Sequence, residues 1–182
     1  MAENWASTTR SSANIELPAA ALYNPAHSME SQLPRMRAAL LTLVNHSGTS
    51  PARQLKPYQE DILGKGGVAA LLTLARDKHQ QGMQAAYSDG GGGSTQFQQV
   101  AQVFSSLQLL AYRNGKVVAT LLELGLLQLV AHVLEQAGAP GSRCAQIGAV
   151  FLLAAAISFS DASHQPVLDS GLLPRLVALC RE

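Results

Sequence analysis

One apolar template is written three times along this chain. Counting from Gly125 as zero, apolar residues fall two, five, six, eight and nine places on, at Leu127, Val130, Ala131, Val133 and Leu134. The same offsets from Gly171 select Leu173, Leu176, Val177, Leu179 and Cys180, and from Gly66 they select Val68, Leu71, Leu72, Leu74 and Ala75. The match extends upstream, where Ile62 and Leu63, Leu121 and Leu122, and Val167 and Leu168 occupy the positions four and three before each glycine. Spacing of this kind puts the apolar residues on one face of a helix. Recurrence in register marks a repeat.

The remaining apolar runs fill in around these helices. Met36, Leu40, Leu43 and Val44 predict a helix opening at Pro34, a residue suited to a first turn. Gly48, Pro51 and Pro57 predict a loop over 46–56, followed by a short helix from Tyr58 to Leu63. The glycine-led helix is expected over Gly66 to Lys78. The segment 81–94 ends in DGGGGS and reads as a flexible insertion, because consecutive glycines lose too much backbone entropy on ordering to belong in a core. Phe97 to Tyr112 carries Val100, Val103, Phe104, Leu107, Leu110 and Ala111 on one face and predicts a long helix, stopped by Asn114 and Gly115. A short helix over Lys116–Leu124 then precedes the Gly125 unit. Cys144–Ser158 repeats the long helix, Gln165–Leu168 the short one, and Gly171–Arg181 the last. Residues 1–33, rich in Ser, Ala, Asn and Pro with scattered Trp5, Ile15, Leu17, Leu22 and Tyr23, read as an irregular tail or a docking segment. The repeat domain covers 34–182.

Spacing identifies the type of repeat. Gly125 and Gly171 are 46 residues apart, Gly66 and Gly125 are 59 apart, and the excess of 13 matches the glycine-bearing insertion. A helical period of about 40–47 residues is that of armadillo and HEAT arrays. The glycine, the apolar residue two places on, the small residue or Pro at three (Ala69, Pro174) and the Leu-Val-x-Leu run resemble the third helix of armadillo repeats. "SLQLLAY" and "LLAAAIS" are similar to the end of the second. The resemblance implies an all-α fold, a short right-handed α-solenoid of about three repeats whose third helices line a concave protein-binding groove. Armadillo proteins serve as cytoskeletal and axonemal components, transport receptors and scaffolds, so it also implies a cytoplasmic protein, with cytoskeletal or ciliary association open.

Composition narrows the function. Charged residues make up only 14% of the chain against the usual quarter, which leaves neutral or apolar surface that suits coverage by a partner. Thirteen basic and 12 acidic residues give a formal charge of +1 and no field for nucleic acid. Cys144 and Cys180 lie in apolar helical pattern and read as small buried hydrophobes in a reducing compartment. The amino terminus lacks the profile of a secretory signal. The longest apolar run, Cys144–Phe159, falls short of the ~20 residues a spanning helix needs. A buried helix is therefore expected rather than a membrane span, although a membrane-embedded reading with 144–159 in lipid stays open.

Candidate chemistry is sparse. His27, His46, His79, His132 and His164 are scattered, and no pair has the spacing that places metal ligands on one helix face. DGGGGS and GKGG lack the strand and the Lys-Ser/Thr of a phosphate loop. Glu60, Asp61, Asp161 and Asp169 fit helix capping. No Gly-x-Ser-x-Gly turn supports a nucleophilic serine. Neither catalysis, cofactor nor metal is expected.

Binding is expected instead. Arg76, Gln128, Leu129, His132, Gln136 and Arg175 fall off the buried stripe and are expected to face the groove or its rim. The repeated Trp and Asn of importin-like grooves are missing, so basic-peptide binding is not expected. A neutral, partly apolar groove would suit an amphipathic or mildly acidic segment. At the other extreme, the last helix reads LLPRLVALCRE, and Leu173, Leu176, Val177 and Leu179 have nothing polar following to cover them. A partner stacking there, another copy of the chain, or further repeats of a longer array would each cover these residues. The expected function is a non-enzymatic interaction module, an adaptor or structural subunit, with a groove-using cargo or regulatory scaffold as the alternative.

Overall fold

The computed structural model of the chain describes residues 22–45, 51–88, 93–136 and 138–179, with the backbone alone at 51–53 and 179. Among these residues all regular structure is helical and no strand occurs. The order is α1 (Met29–Asn45), α2 (Pro51–Gly64), α3 (Gly67–Tyr87), α4 (Ser94–Ala111), α5 (Gly115–Glu123), α6 (Leu126–Glu135), α7 (Arg143–Phe159), a 3-10 turn (Asp161–Ser163), α8 (His164–Asp169) and α9 (Leu172–Leu179).

α4 is the centre of the packing. It lies against α7, α3 and α1, and buries Phe97, Val100, Val103, Phe104, Leu107 and Leu110 completely. α7 approaches it closely, since a Cβ added at Gly148 would lie 3.3 Å from Cα of Ala101 and from the Phe104 side chain. Ala145, Ala149, Leu152, Leu153 and Ala156 are buried along α7. Among the described residues no single helix is long and apolar enough to cross a membrane. α5 and α6 are apolar enough only as a pair, and that pair is bent by 67°.

The recurring glycines have a conformational cause. Gly66, Gly125 and Gly171 adopt φ of 75°, 83° and 70°, a left-handed region that L side chains enter at a cost of about 1–2 kcal/mol. The glycine before α3 and the one before α6 each end one helix and start the next. The Gly125 N–H donates to Leu122 O at 3.1 Å, while its carbonyl accepts from Leu129 N–H at 3.2 Å. No atom lies within 4 Å of a Cβ added at Gly66 or Gly171, so the backbone turn, rather than space, requires glycine there.

Several boundaries differ from the sequence pattern. α1 begins at Met29 and carries Pro34 inside it, so Pro34 does not mark its start. The side chain of Gln32 explains the earlier start, because its Nε2 donates to the carbonyls of Asn24 and His27 at 2.9 Å and its Oε1 accepts from Asn24 N–H at 2.7 Å. Ser28 Oγ accepts from Ser31 N–H, an N-cap contact. Within the expected tail, Leu22, Tyr23, Met29 and Leu33 are buried in the core; Trp5, Ile15 and Leu17 lie outside the described residues. The loop expected over 46–56 is partly helix, since α2 starts at Pro51. Of the insertion expected over 81–94, residues 81–87 are helix, and 89–92, which hold most of the glycine run, lie outside the described residues. α3 runs on to Tyr87, buries Gly82 so close to Phe97 that an added Cβ would lie 2.9 Å from the ring, and packs Met83 and Ala86 on the core.

The buried stripe of α6 is rotated from its expected register. Leu126, Leu129, Val130, Val133 and Leu134 are buried, whereas Leu127 and Ala131 are only partly so. α3 keeps the expected register, burying Val68, Leu71, Leu72 and Ala75 with Leu74 partly covered.

Candidate binding surfaces

The glycine turns bring α3 and α6 side by side and hold them together. Arg76, exposed on α3, donates through Nη2 to the carbonyls of Leu124 and, at 3.4 Å, Gly125 in the turn that opens α6. One guanidinium therefore caps the Leu124 carbonyl at the end of α5 and adds a second donor to the Gly125 carbonyl, which already accepts from Leu129 N–H. Farther along, Arg175 of α9 pairs with Glu135 at 2.5 Å and donates to Ala131 O at 3.4 Å.

Between α3 and α6 lies a cleft of about 440 Å³, lined by Arg76, His79, Gln80, Gln128, Leu129 and His132. Four of the six residues expected at the groove thus meet here: Arg76, Gln128, Leu129 and His132. Leu129 is a correction, since it is 5% exposed and mainly fills the core, showing only an edge to the cleft. Gln136 and Arg175 do not line it. Gln136 is partly buried and its carbonyl accepts from Ser142 Oγ at 3.3 Å, while Arg175 is taken up by Glu135.

His79 and Gln80 were not legible as cleft residues, because the template stops short of them. Continuing the helical period beyond Arg76 to the third and fourth residues would have reached both. His79 is 1% exposed, and its Nε2 has no hydrogen-bond partner. Its ring packs roughly perpendicular to that of His132, centroids 5.1 Å apart, and near Phe97 at 5.8 Å. Burial, with a smaller contribution from His132, lowers its pKa from 6.5 to about 4, so the imidazole is neutral at pH 7. His132 is more than half exposed, with Nδ1 4.0 Å from Glu135. Among the described residues no group of three or more His, Cys, Asp or Glu side chains could hold a metal.

A second surface lies at α8–α9. Leu173 is 42% and Val177 51% exposed, while Leu176 is partly buried; the side chain of Leu179 lies outside the described residues. Leu168 of α8, not among the expected contacts, is 56% exposed. Equivalent template positions in the first unit, Val68 and Leu72, are at most 1% exposed, and those in the middle unit, Leu127 and Ala131, are partly buried. Leu172 is the exception on α9, buried to 1%. On the outer side of α7, Ile147 and Phe151 are also exposed, and Phe151 borders a shallow apolar cleft with Leu41, Leu109, Tyr112 and Phe159. Cys144 is a free thiol, partly buried; Cys180 lies outside the described residues.

No protein-family model, no curated protein and no solved structure matches the chain.

Proposed function

We propose that this chain is a non-enzymatic protein-interaction module, an adaptor or structural subunit, built as a short α-solenoid of armadillo-like units. The observation that carries the reading is the open apolar surface of α9, where Leu173 is 42% and Val177 51% exposed beside the buried Leu172. Val68, Leu127 and Leu173 stand at the same offset from their glycines, and the first is buried, the second half-covered and the third open. Stacked units bury one another's faces, so an apolar face left open at α8–α9 is a face that another helical surface covers. Leu173 and Val177, four residues apart on α9, expose apolar surface of the kind found at association sites, and Leu168 on α8 is exposed as well. The partner is a protein, or a second copy of this chain, presenting a complementary apolar face. The carboxylates, histidines and cysteines serve structure or contact in this reading, not catalysis.

A photo-crosslinking residue placed at Leu173 or Val177, with the exposed position Lys116 on α5 as control, tests it in the native source. The expected result is a discrete adduct from the two α9 positions and none from the control. Equal labelling from all three positions, together with a monomer by sedimentation, would reject the reading.

A further inference from the structure

We propose that the α3–α6 cleft is a subsite for a single carboxylate side chain, an Asp or Glu of a partner segment lying along these two helices. This deepens the interaction-module reading and rests on it. Five of the six lining residues carry a side-chain N–H donor, Leu129 being the exception. Arg76 carries five N–H groups, and among the described contacts only Nη2 is engaged, with the carbonyls of Leu124 and Gly125. Gln80 and Gln128 add carboxamides, His132 adds an imidazole that is more than half exposed, and no carboxylate lines the cleft. Of the acidic groups nearby, Glu135 pairs with Arg175 at 2.5 Å through one oxygen and lies 4.0 Å from His132 Nδ1 with the other, while Glu30 pairs with Lys78 at 2.7 Å.

The second, independent observation is His79. A buried polar nitrogen without a partner is uncommon and costly, and this one belongs to a residue lining the cleft. An incoming carboxylate selects the form of His79 with its proton on Nε2 and accepts from it once the His132 ring, more than half exposed, turns aside. Charge-assisted bonds from Arg76 and from an imidazole N–H then hold the guest. A carboxamide of the same shape would gain far less, since it carries no charge for Arg76 to meet.

The test uses the full chain and the blocked tripeptide acetyl-Ala-Glu-Ala-amide, followed by NMR of the imidazole and guanidinium signals. Saturable shifts of His79, His132 and Arg76 are expected with this peptide and not with its Gln counterpart. Arg76→Gln and, separately, His79→Leu should each weaken binding about tenfold, as loss of a hydrogen bond to a charged group does. The second variant leaves the cap on Leu124 and Gly125 in place. Equal shifts from the Glu and Gln peptides, or unchanged affinity in both variants, would overturn the proposal. A phosphoserine peptide binding tenfold more tightly than the Glu peptide would overturn it too, by assigning the cleft to phosphate. If crosslinking at Leu173 and Val177 succeeds while the histidines ignore the glutamyl peptide, the subsite fails and the interaction module stands.

Discussion

Asn114 reaches across 55 residues of sequence to donate from Nδ2 to Oε1 of Gln59 at 3.2 Å, joining the start of α5 to the middle of α2. Both side chains are buried. Gln59 passes the link on, its Nε2 donating to the carbonyls of Tyr112 at 3.0 Å and Leu109 at 3.2 Å where α4 ends. Asn114 Oδ1 in turn accepts from Val117 N–H at 3.3 Å, capping α5. Three helices thus meet on two amides, and every bond in the network depends on another. Gln59→Leu leaves two carbonyls and an amide short of partners in a dry place, at a cost of about 1–3 kcal/mol. The double variant with Asn114→Ala should cost less than the two single changes added together, because the second removes a group the first has already orphaned. Denaturant midpoints of the four proteins check this, and strict additivity would contradict it.

Leu172 and Leu173 are neighbours with opposite surroundings, 1% and 42% exposed. Leu172→Ala should destabilise by about 2–5 kcal/mol, the usual cost of emptying a buried leucine site. Leu173→Ala should stay within about 0.5 kcal/mol, as surface changes do. Thermal melts of the two variants read the difference. Equal losses would mean that α9 packs by a different face.

Gly125 tests the turn that the template repeats. Its φ of 83° disfavours any side chain, and an added Cβ would also lie 3.1 Å from Arg76 Nη2. Gly125→Ala should therefore cost at least about 1–2 kcal/mol, more than Gly115→Ala, which meets open space and keeps a negative φ. Chemical denaturation of the two variants side by side decides it.

The same glycine explains how far the fold could be read from residues alone. A positive φ between two helices favours glycine, although Arg113 adopts φ 52° between α4 and α5, so Gly66, Gly125 and Gly171 located the starts of α3, α6 and α9 within a residue or so. Register was harder in α6 because LLQLVAHVL is apolar nearly all round. Which of Leu126, Leu127, Leu129, Val130 and Ala131 turns inward depends on where α7 and α5 lie, a tertiary fact that one helix does not encode. α1 was misplaced for a similar reason. Pro34 is a strong local signal, yet Gln32, bonding to the backbone of Asn24, outweighs it. At the cleft, Arg76 and His132 stood out as polar breaks in apolar helices. His79 did not, since a buried histidine in a long helix looks the same as a solvent-facing one until its neighbours are placed.

Acid should weaken the fold through His79. Unfolded, this histidine titrates at its ordinary 6.5; folded, it titrates at about 4, chiefly because it is buried and secondarily because His132 lies beside it. Between those values the unfolded chain holds a proton that the native chain refuses, so stability declines as pH falls from about 6.5 to about 4. At about 1.4 kcal/mol per pH unit, the whole decline amounts to about 3 kcal/mol. His79→Leu removes the titrating group while keeping an apolar side chain against Phe97, and should flatten the profile over this range. His132→Asn removes only the smaller cause and should flatten it slightly. Urea midpoints at pH 7 and pH 4.5 measure the effect, and contributions from other groups cancel when wild type and variant are compared. Parallel declines in wild type and His79→Leu would show that His79 is protonated as easily in the fold as out of it.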